Sequence, residues 1–153
     1  PDVITTAKGL AGGVPIGAVM TSLKDIFAPS DHGSTFGGNF LSTSAALEVL
    51  EILFEHKQSG ELDKTITYFT QKLQDLQKHY AEIFTQEVGL GLMRGLRVRD
   101  LETLTKFLNA TFEAGVLVLK SGKNTARFLP SLTITREEID EGFLRIESCI
   151  AHL

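Results

Sequence analysis

Cysteine is nearly absent: Cys149 is the only one in 153 residues, so no internal disulfide framework can exist. That usage fits a reducing cytoplasm, which is the expected location. Basic charge is not in excess either, with 15 Lys and Arg against 19 Asp and Glu and a net charge of -4. A nucleic-acid partner or an anionic membrane surface is therefore not expected. Long hydrophobic runs are missing as well. The longest, Gly9 to Leu23, is broken by glycines and Pro15 and does not read as a transmembrane helix. No basic segment followed by an apolar one marks a secretory signal. No partner at metal-ligand spacing accompanies His32, so no metal is expected. An initiator Met is also lacking. The chain opens on Pro1-Asp2 and runs almost directly into a strand, which reads as a segment of a longer protein.

What is present is an ordinary globular balance, 42% hydrophobic and 22% charged, enough for one domain or two small ones. Between Asp2 and Lys24 the only charged residue is Lys8. It ends a strand-like run, Val3 to Ala7, that reads as buried, and it enters a turn with Gly9, Gly12 and Gly13. An ammonium in so apolar a neighbourhood is expected to be desolvated, with its pKa drawn toward neutrality. That is the state of a nucleophilic, Schiff-base amine. The plainer reading is a strand-end lysine whose head snorkels to water.

Ile16 to Thr21 reads as a second strand, joined to the first by a loop too short for a helical crossover. Antiparallel or locally irregular pairing follows. Residues 24 to 39 form a loop, and Ser42 to about His56 a helix apolar around most of its circumference. Such a helix is packed on several sides, within a domain or at a subunit interface. Leu62, Ile66, Phe69, Leu73, Leu76, Tyr80 and Ile83 predict one long amphipathic helix. Val88 to Val98 reads as a hairpin, and Asp100 caps a helix with Leu101, Leu104, Phe107, Leu108 and Phe112 on one face, stopped by Gly115. Val116 to Leu119 and Arg127 to Leu129 read as short strands around the turn at Gly122. Thr135 and Glu138 make a capping box for a last helix facing inward with Ile139, Phe143, Ile146, Ile150 and Leu153. The change of texture places a domain boundary near residue 86.

Two further features carry chemistry. The loop His32-Gly-Ser34-Thr35-Phe-Gly-Gly-Asn39 precedes a helix, and its glycines free backbone N–H groups beside two hydroxyls. That is a candidate phosphate seat, with a structural glycine turn as the alternative. It is no P-loop, since the Gly-Lys-Ser/Thr ending is absent. Arg127, in an apolar stretch, suits a carboxylate, either a substrate's or that of an ion-pair partner. Arg94 reads as structural, and Cys149 as a partly buried, inert thiol.

In this order and spacing, Thr6-Ala-Lys8-Gly-Leu-Ala-Gly-Gly13, His32 to Asn39, Gly91-Leu-Met-Arg-Gly-Leu96 and Ala126-Arg-Phe-Leu-Pro-Ser-Leu-Thr-Ile134 closely resemble the class III, ornithine-type aminotransferases. The resemblance spans essentially all 153 residues but only the C-terminal portion of that family's chain. It implies an α/β fold class, the C-terminal portion of a fold-type-I PLP-dependent transferase. Residues 1–86 would end the large cofactor-binding domain, and 87–153 would form the small α+β domain. The cofactor implied is pyridoxal 5'-phosphate, with Lys8 as the catalytic Schiff-base lysine. Ser34 and Thr35 would bind its phosphate, Thr35 reaching the neighbouring subunit's cofactor in a homodimer, and Arg127 would take a substrate carboxylate. The implied reaction is ping-pong amino transfer from a small-molecule donor to 2-oxoglutarate, most like family members that use N-acetylornithine. Ornithine and 4-aminobutyrate are alternative donors, and a non-catalytic fragment is the alternative of a different class. The chain departs from the family where Gly-Asn-Pro-Leu-Ala becomes Gly38-Asn39-Phe40-Leu41-Ser42. The family's phosphate-binding glycine turn, ring-stacking aromatic and pyridine-pairing aspartate would lie upstream of Pro1.

Overall fold

The computed structural model describes residues 1–151 and shows two compact units, Pro1–Ser59 and Gly60–Leu153. The boundary expected near residue 86 falls inside the second unit, and it stays a proposal for the domains of the longer protein.

In the first unit, β1 (Val3–Thr6) pairs antiparallel with β2 (Ala18–Thr21), Val3 opposite Thr21 and Thr6 opposite Ala18. The strands stand where they were expected, but they are not buried. Val3, Ile4, Val19 and Met20 are exposed because no element of the unit packs broadly on this two-stranded ribbon. The glycine turn between them contains a short 3-10 helix, Lys8–Ala11, which packs on α1 (Phe40–Gln58). Helix α1 starts two residues earlier than anticipated because Asn39 caps it, its side-chain oxygen accepting from the Ser42 N–H at 3.0 Å. Only Ser42 and Ala46 of α1 are buried, while Phe40, Leu47 and Phe54 are exposed. The several-sided packing expected of this helix is not supplied by the unit's own residues.

The second unit is a four-stranded antiparallel sheet with three helices. Its strands are β3 (Phe84–Leu90), β4 (Met93–Val98), β5 (Leu119–Ser121) and β6 (Thr125–Phe128), in the order β3-β4-β6-β5. Its helices are α2 (Glu61–His79), α3 (Leu101–Glu113) and α4 (Arg136–Ile150). The hairpin anticipated at 88–98 is β3 with β4, begun earlier at Phe84. In β3, one residue before its end, Gly89 has φ of +119°, and a Cβ there would come within 2.3 Å of the Met93 carbonyl oxygen. Only glycine allows that approach.

Alternation along the strands puts Phe84, Leu96, Val98, Ala126 and Phe128 on one face, where they meet the apolar stripes of all three helices. Helix α2 ends at His79, short of Ile83, because Tyr80 leaves helical geometry. Its stripe nevertheless carries through the turn: Phe69, Leu73, Leu76 and Ile83 are all buried. The face of α3 is rotated from the expected one. Leu104 and Phe107 are fully buried together with Thr103 and Thr111, whereas Leu101 and Phe112 point to solvent. Asp100 caps this helix through the Thr103 N–H, and Gly115 follows its end with φ of +78°. Val116–Val118 stay outside the ladder, and β6 begins at Thr125, ahead of the expected Arg127. The capping box on α4 forms as expected, with Glu138 N–H donating to Thr135 Oγ1 at 3.2 Å and Thr135 N–H to Glu138 Oε2 at 2.8 Å. Ile139, Phe143, Ile146 and Ile150 face the core, and Leu153 lies outside the described residues.

Aromatic edges lock this core. Phe84 meets Phe107 edge-on at 5.2 Å, and Phe69 stands between Phe143 and Phe128. Phe107→Ala is expected to cost about 3–5 kcal/mol in the full-length protein, read by denaturant unfolding.

A polar clamp also joins α2 to α4. Asp140 accepts from Tyr68 Oη at 2.5 Å and pairs with Lys72 Nζ at 2.6 Å. The hydrogen bond from Lys72, then that from Tyr68, holds the Asp140 carboxyl below its usual range, and the same bond raises Lys72. A depressed carboxyl stabilises above its unfolded pKa and loses this as pH falls through the folded value. A raised ammonium stabilises below its unfolded pKa and loses this as pH rises through the folded value. The clamp therefore operates between about pH 4 and pH 10. Asp140→Asn should lower the unfolding midpoint at pH 7, and by progressively less below pH 4.

Candidate active site

Lys8 stands at the junction of β1 and the 3-10 helix with φ of +55°. A left-handed backbone is uncommon for a residue with a Cβ and marks a conformation held by its surroundings. The lysine is solvent-exposed. The desolvating pocket expected around its ammonium is thus not formed by the described residues of the first unit. Its amine has no hydrogen-bond or ion-pair partner among them.

Ser34 and Thr35 lie in the loop before α1. The Gly37 N–H donates to the Ser34 carbonyl at 3.3 Å, closing a tight turn. A Cβ at Gly37 would come within 2.9 Å of Ser34 Cβ, so the turn requires glycine. Both hydroxyls are without hydrogen-bond partners among the described residues. Ser34 lines an open groove of about 730 Å³ together with Pro15, Gly17, Gly37, Asn39 and Ser42. Neither Thr35 nor Lys8 lines it. His32 is exposed and meets the Phe27 ring edge-on at 4.5 Å.

The groove is held by residues that sequence reasoning passed over. Asn39 Nδ2 donates to the Phe36 carbonyl at 2.9 Å and to Ser42 Oγ at 3.0 Å. Ser42 Oγ donates in turn to the Pro15 carbonyl at 3.0 Å. One buried hydroxyl thereby ties the phosphate-type loop, the start of α1 and the glycine turn after Lys8 to each other. The signal lay in the spacing of Asn39 and Ser42, an N-cap with its partner three residues on.

In the second unit Arg127 is half-buried on β6, paired with Gly95 on one side and Leu119 on the other. Its Nε is buried and has no partner. Arg94, by contrast, is consumed structurally: Nε faces Glu87 Oε1 at 2.9 Å and Nη1 donates to the Gly89 carbonyl at 2.8 Å. Cys149 is partly buried, its Sγ donating to the Ile146 carbonyl at 3.1 Å, and burial pushes the thiol up. No group of three His, Cys, Asp or Glu residues that could hold a metal occurs among the described residues. No described helix is long and apolar enough to cross a membrane.

Within the first unit, an amine and two hydroxyls without partners among the described residues are groups that suit an aldehyde and a phosphate, although Lys8 and Thr35 stand outside the groove that Ser34 lines. In the second unit, the orphaned buried N–H of Arg127 suits a carboxylate. Ser42→Ala removes the tie to Pro15 and is expected to cost about 1 kcal/mol. Faster hydrogen exchange confined to 36–42 would accompany it.

The aminotransferase class-III family matches residues 1–150. Over 150 residues the chain is 58% identical to the acetylornithine aminotransferase of Wolinella succinogenes, covering 98% of this chain and 38% of that protein. It is 40% identical to the succinylornithine transaminase of Photorhabdus laumondii, over 98% of this chain and 38% of that one. A solved ornithine aminotransferase of Toxoplasma gondii, described with partial occupancy of PLP at its active site, superposes with a TM-score of 0.82. It is 31% identical over 99% of this chain and 37% of its own. The chain thus spans about two fifths of the length of the relatives it matches. The fold is that of a fragment of this transferase class, and the chain belongs to the class III aminotransferase family.

Proposed function

We propose that this chain is the lysine-bearing part of a pyridoxal-phosphate-dependent aminotransferase that passes the amino group of N-acetylornithine to 2-oxoglutarate in the cytoplasm. The reading is carried by Lys8, an unpartnered amine on a held left-handed turn, in a chain 58% identical to an acetylornithine aminotransferase. N-succinylornithine is the second donor reading, favoured by the Photorhabdus relative. The two donors differ only in the acyl group.

Pyridoxal phosphate, when bound, supplies an aldehyde and a conjugated ring that accepts electrons from the substrate. Lys8 Nζ would hold that aldehyde, and once released its amine would serve as the base and acid that moves the proton of the donor Cα. The Ser34 and Thr35 hydroxyls hold the phosphate, Thr35 that of the neighbouring subunit, which makes the working unit a homodimer. Arg127 orients a substrate carboxylate through its planar fork. The apolar side chains left exposed on β1, β2 and α1 support a larger assembly that covers them.

Borohydride reduction of the full-length enzyme followed by peptide mapping is expected to find the cofactor on Lys8. An adduct on any other lysine would sink the assignment. Lys8→Ala should lower turnover by more than about a thousandfold, and Thr35→Ala should weaken cofactor affinity about tenfold. Initial rates with N-acetylornithine, N-succinylornithine, ornithine and 4-aminobutyrate, each against 2-oxoglutarate, rank the donors.

A further inference from the structure

Helix α4 carries Gly142 in its middle, the one glycine inside an α-helix among the described residues. Glycine there gives up about fivefold in the folding equilibrium relative to alanine, because the unfolded chain is freer. Elsewhere in the second unit glycines answer a local need. Gly89 lets β3 pass close to Met93, and Gly115 takes a left-handed φ after α3. Gly142 answers none of that kind. It is helical, and a Cβ built on it would meet nothing within 4 Å outside its own turns of helix.

The space beside it belongs to an open groove of about 140 Å³. The floor of the groove is core: Phe128, Ile139, Phe143 and Ile146 are all buried. The rim is not, since Leu117 is 78% exposed and Leu129 58%. Both stand where the ladder stops, Leu117 ahead of β5 and Leu129 just past β6. Glu138 is the one ionisable side chain in the lining, and its carboxylate is engaged by the Thr135 N–H at 2.8 Å. An apolar space of this order takes a group about the size of benzene. With two rim leucines uncovered and one wall cut back to glycine, it is shaped for a single apolar side chain.

Magnitudes decide what kind of occupant that is. Burying one Leu or Phe side chain favours the seated form by about a hundredfold. Bringing two free molecules together costs roughly a thousandfold or more. The groove therefore does not hold a separate molecule by itself, whereas a segment tethered in the same polypeptide meets a far smaller cost. This chain covers 38% of its Wolinella relative, which leaves about three fifths of such a protein to supply the segment. The resemblance to the C-terminal portion of the family puts that segment ahead of Pro1.

We propose that the Gly142 groove receives one apolar side chain from the part of the longer protein that precedes Pro1, seated against the α4 backbone between Leu117 and Leu129. The contact fastens the second unit to the preceding chain. The inference needs this chain to be part of a longer protein and needs nothing of its catalytic activity, so failure to find the cofactor on Lys8 leaves it standing.

Gly142→Ala in the full-length protein reads the occupancy by its sign. An empty groove accepts the new methyl, and the gain in helix propensity raises the unfolding midpoint by about 2 °C. A seated side chain collides with it, so the expected result is a fall of about 2 °C or more, larger still for Gly142→Leu. An unchanged or raised midpoint in Gly142→Ala overturns the proposal. Photoreactive benzoylphenylalanine in place of Leu117 then identifies the occupant, by peptide mapping of irradiated full-length protein mixed from isotopically light and heavy chains. An adduct within one chain to residues preceding Pro1 supports the proposal. An adduct between chains, an adduct to residues 1–59, or no adduct overturns it. Should Gly142→Ala not fold, the adduct decides alone.

Discussion

The second unit depends on a sheet that is dry on one side only. Side chains along a strand alternate between faces, so each apolar residue given to the core hands its neighbour to the other face. Leu96 and Val98 go inward and Arg97 goes outward; Ala126 and Phe128 go inward and Arg127 goes outward. The helices can satisfy only the inner set. Placement of two guanidiniums on a single surface is thus a by-product of register. A one-residue slip of β6 would bury Arg127 among Phe69, Phe107 and Phe143, which desolvation of a charge forbids. Core formation and the placement of Arg127 are one constraint.

The first unit rests on a different interaction. It buries few apolar side chains, and beside the β1–β2 ladder and the packing of the 3-10 helix on α1 its long-range order includes the hydroxyl of Ser42, which bridges Asn39 and the Pro15 carbonyl. This residue sits where the family pattern has alanine, two positions after a phenylalanine that replaces proline. Proline at the first helical position supplies a fixed φ suited to a helix start. Phe40 supplies none, and its ring is 93% exposed. The hydrogen bonds of Ser42 hold the same junction from inside.

Much of this was legible in the chain. The capping residues Asp100 and Thr135, the glycine after α3 and the stripe from Leu62 to Ile83 are local signals, and the structure realises them. Boundaries moved where a local cap or backbone break does not coincide with the apolar pattern: the Asn39 cap sets the start of α1, and Tyr80 ends α2 before its stripe ends. The face of α3 differs from the expected one because Leu101 and Phe112 are exposed while Thr103 and Thr111, which an apolar pattern does not count, are buried. A threonine that bonds its own helix backbone, as Thr111 does to the Leu108 carbonyl, is buried at little cost. Lys8, Ser34, Thr35 and Arg127 stood out by residue type within glycine-rich or apolar stretches. The facing of Arg97 and Arg127 did not, because pairing between β4 and β6 is invisible in a linear reading.

The two units differ in how far they stand by themselves, and that difference bears on the chemistry. The second unit has a continuous core from three helices and a sheet, so the positions of Arg97 and Arg127 are set by packing internal to it. The first has a two-stranded ribbon with apolar residues exposed on it and a helix with Leu47, Phe54 and Phe40 uncovered. A ribbon of that size is marginal in water without a covering surface. Lys8 sits at its end and is solvent-exposed, so the described residues of the unit leave its amine open to water, whereas Arg97 and Arg127 are placed by a core that their own unit completes.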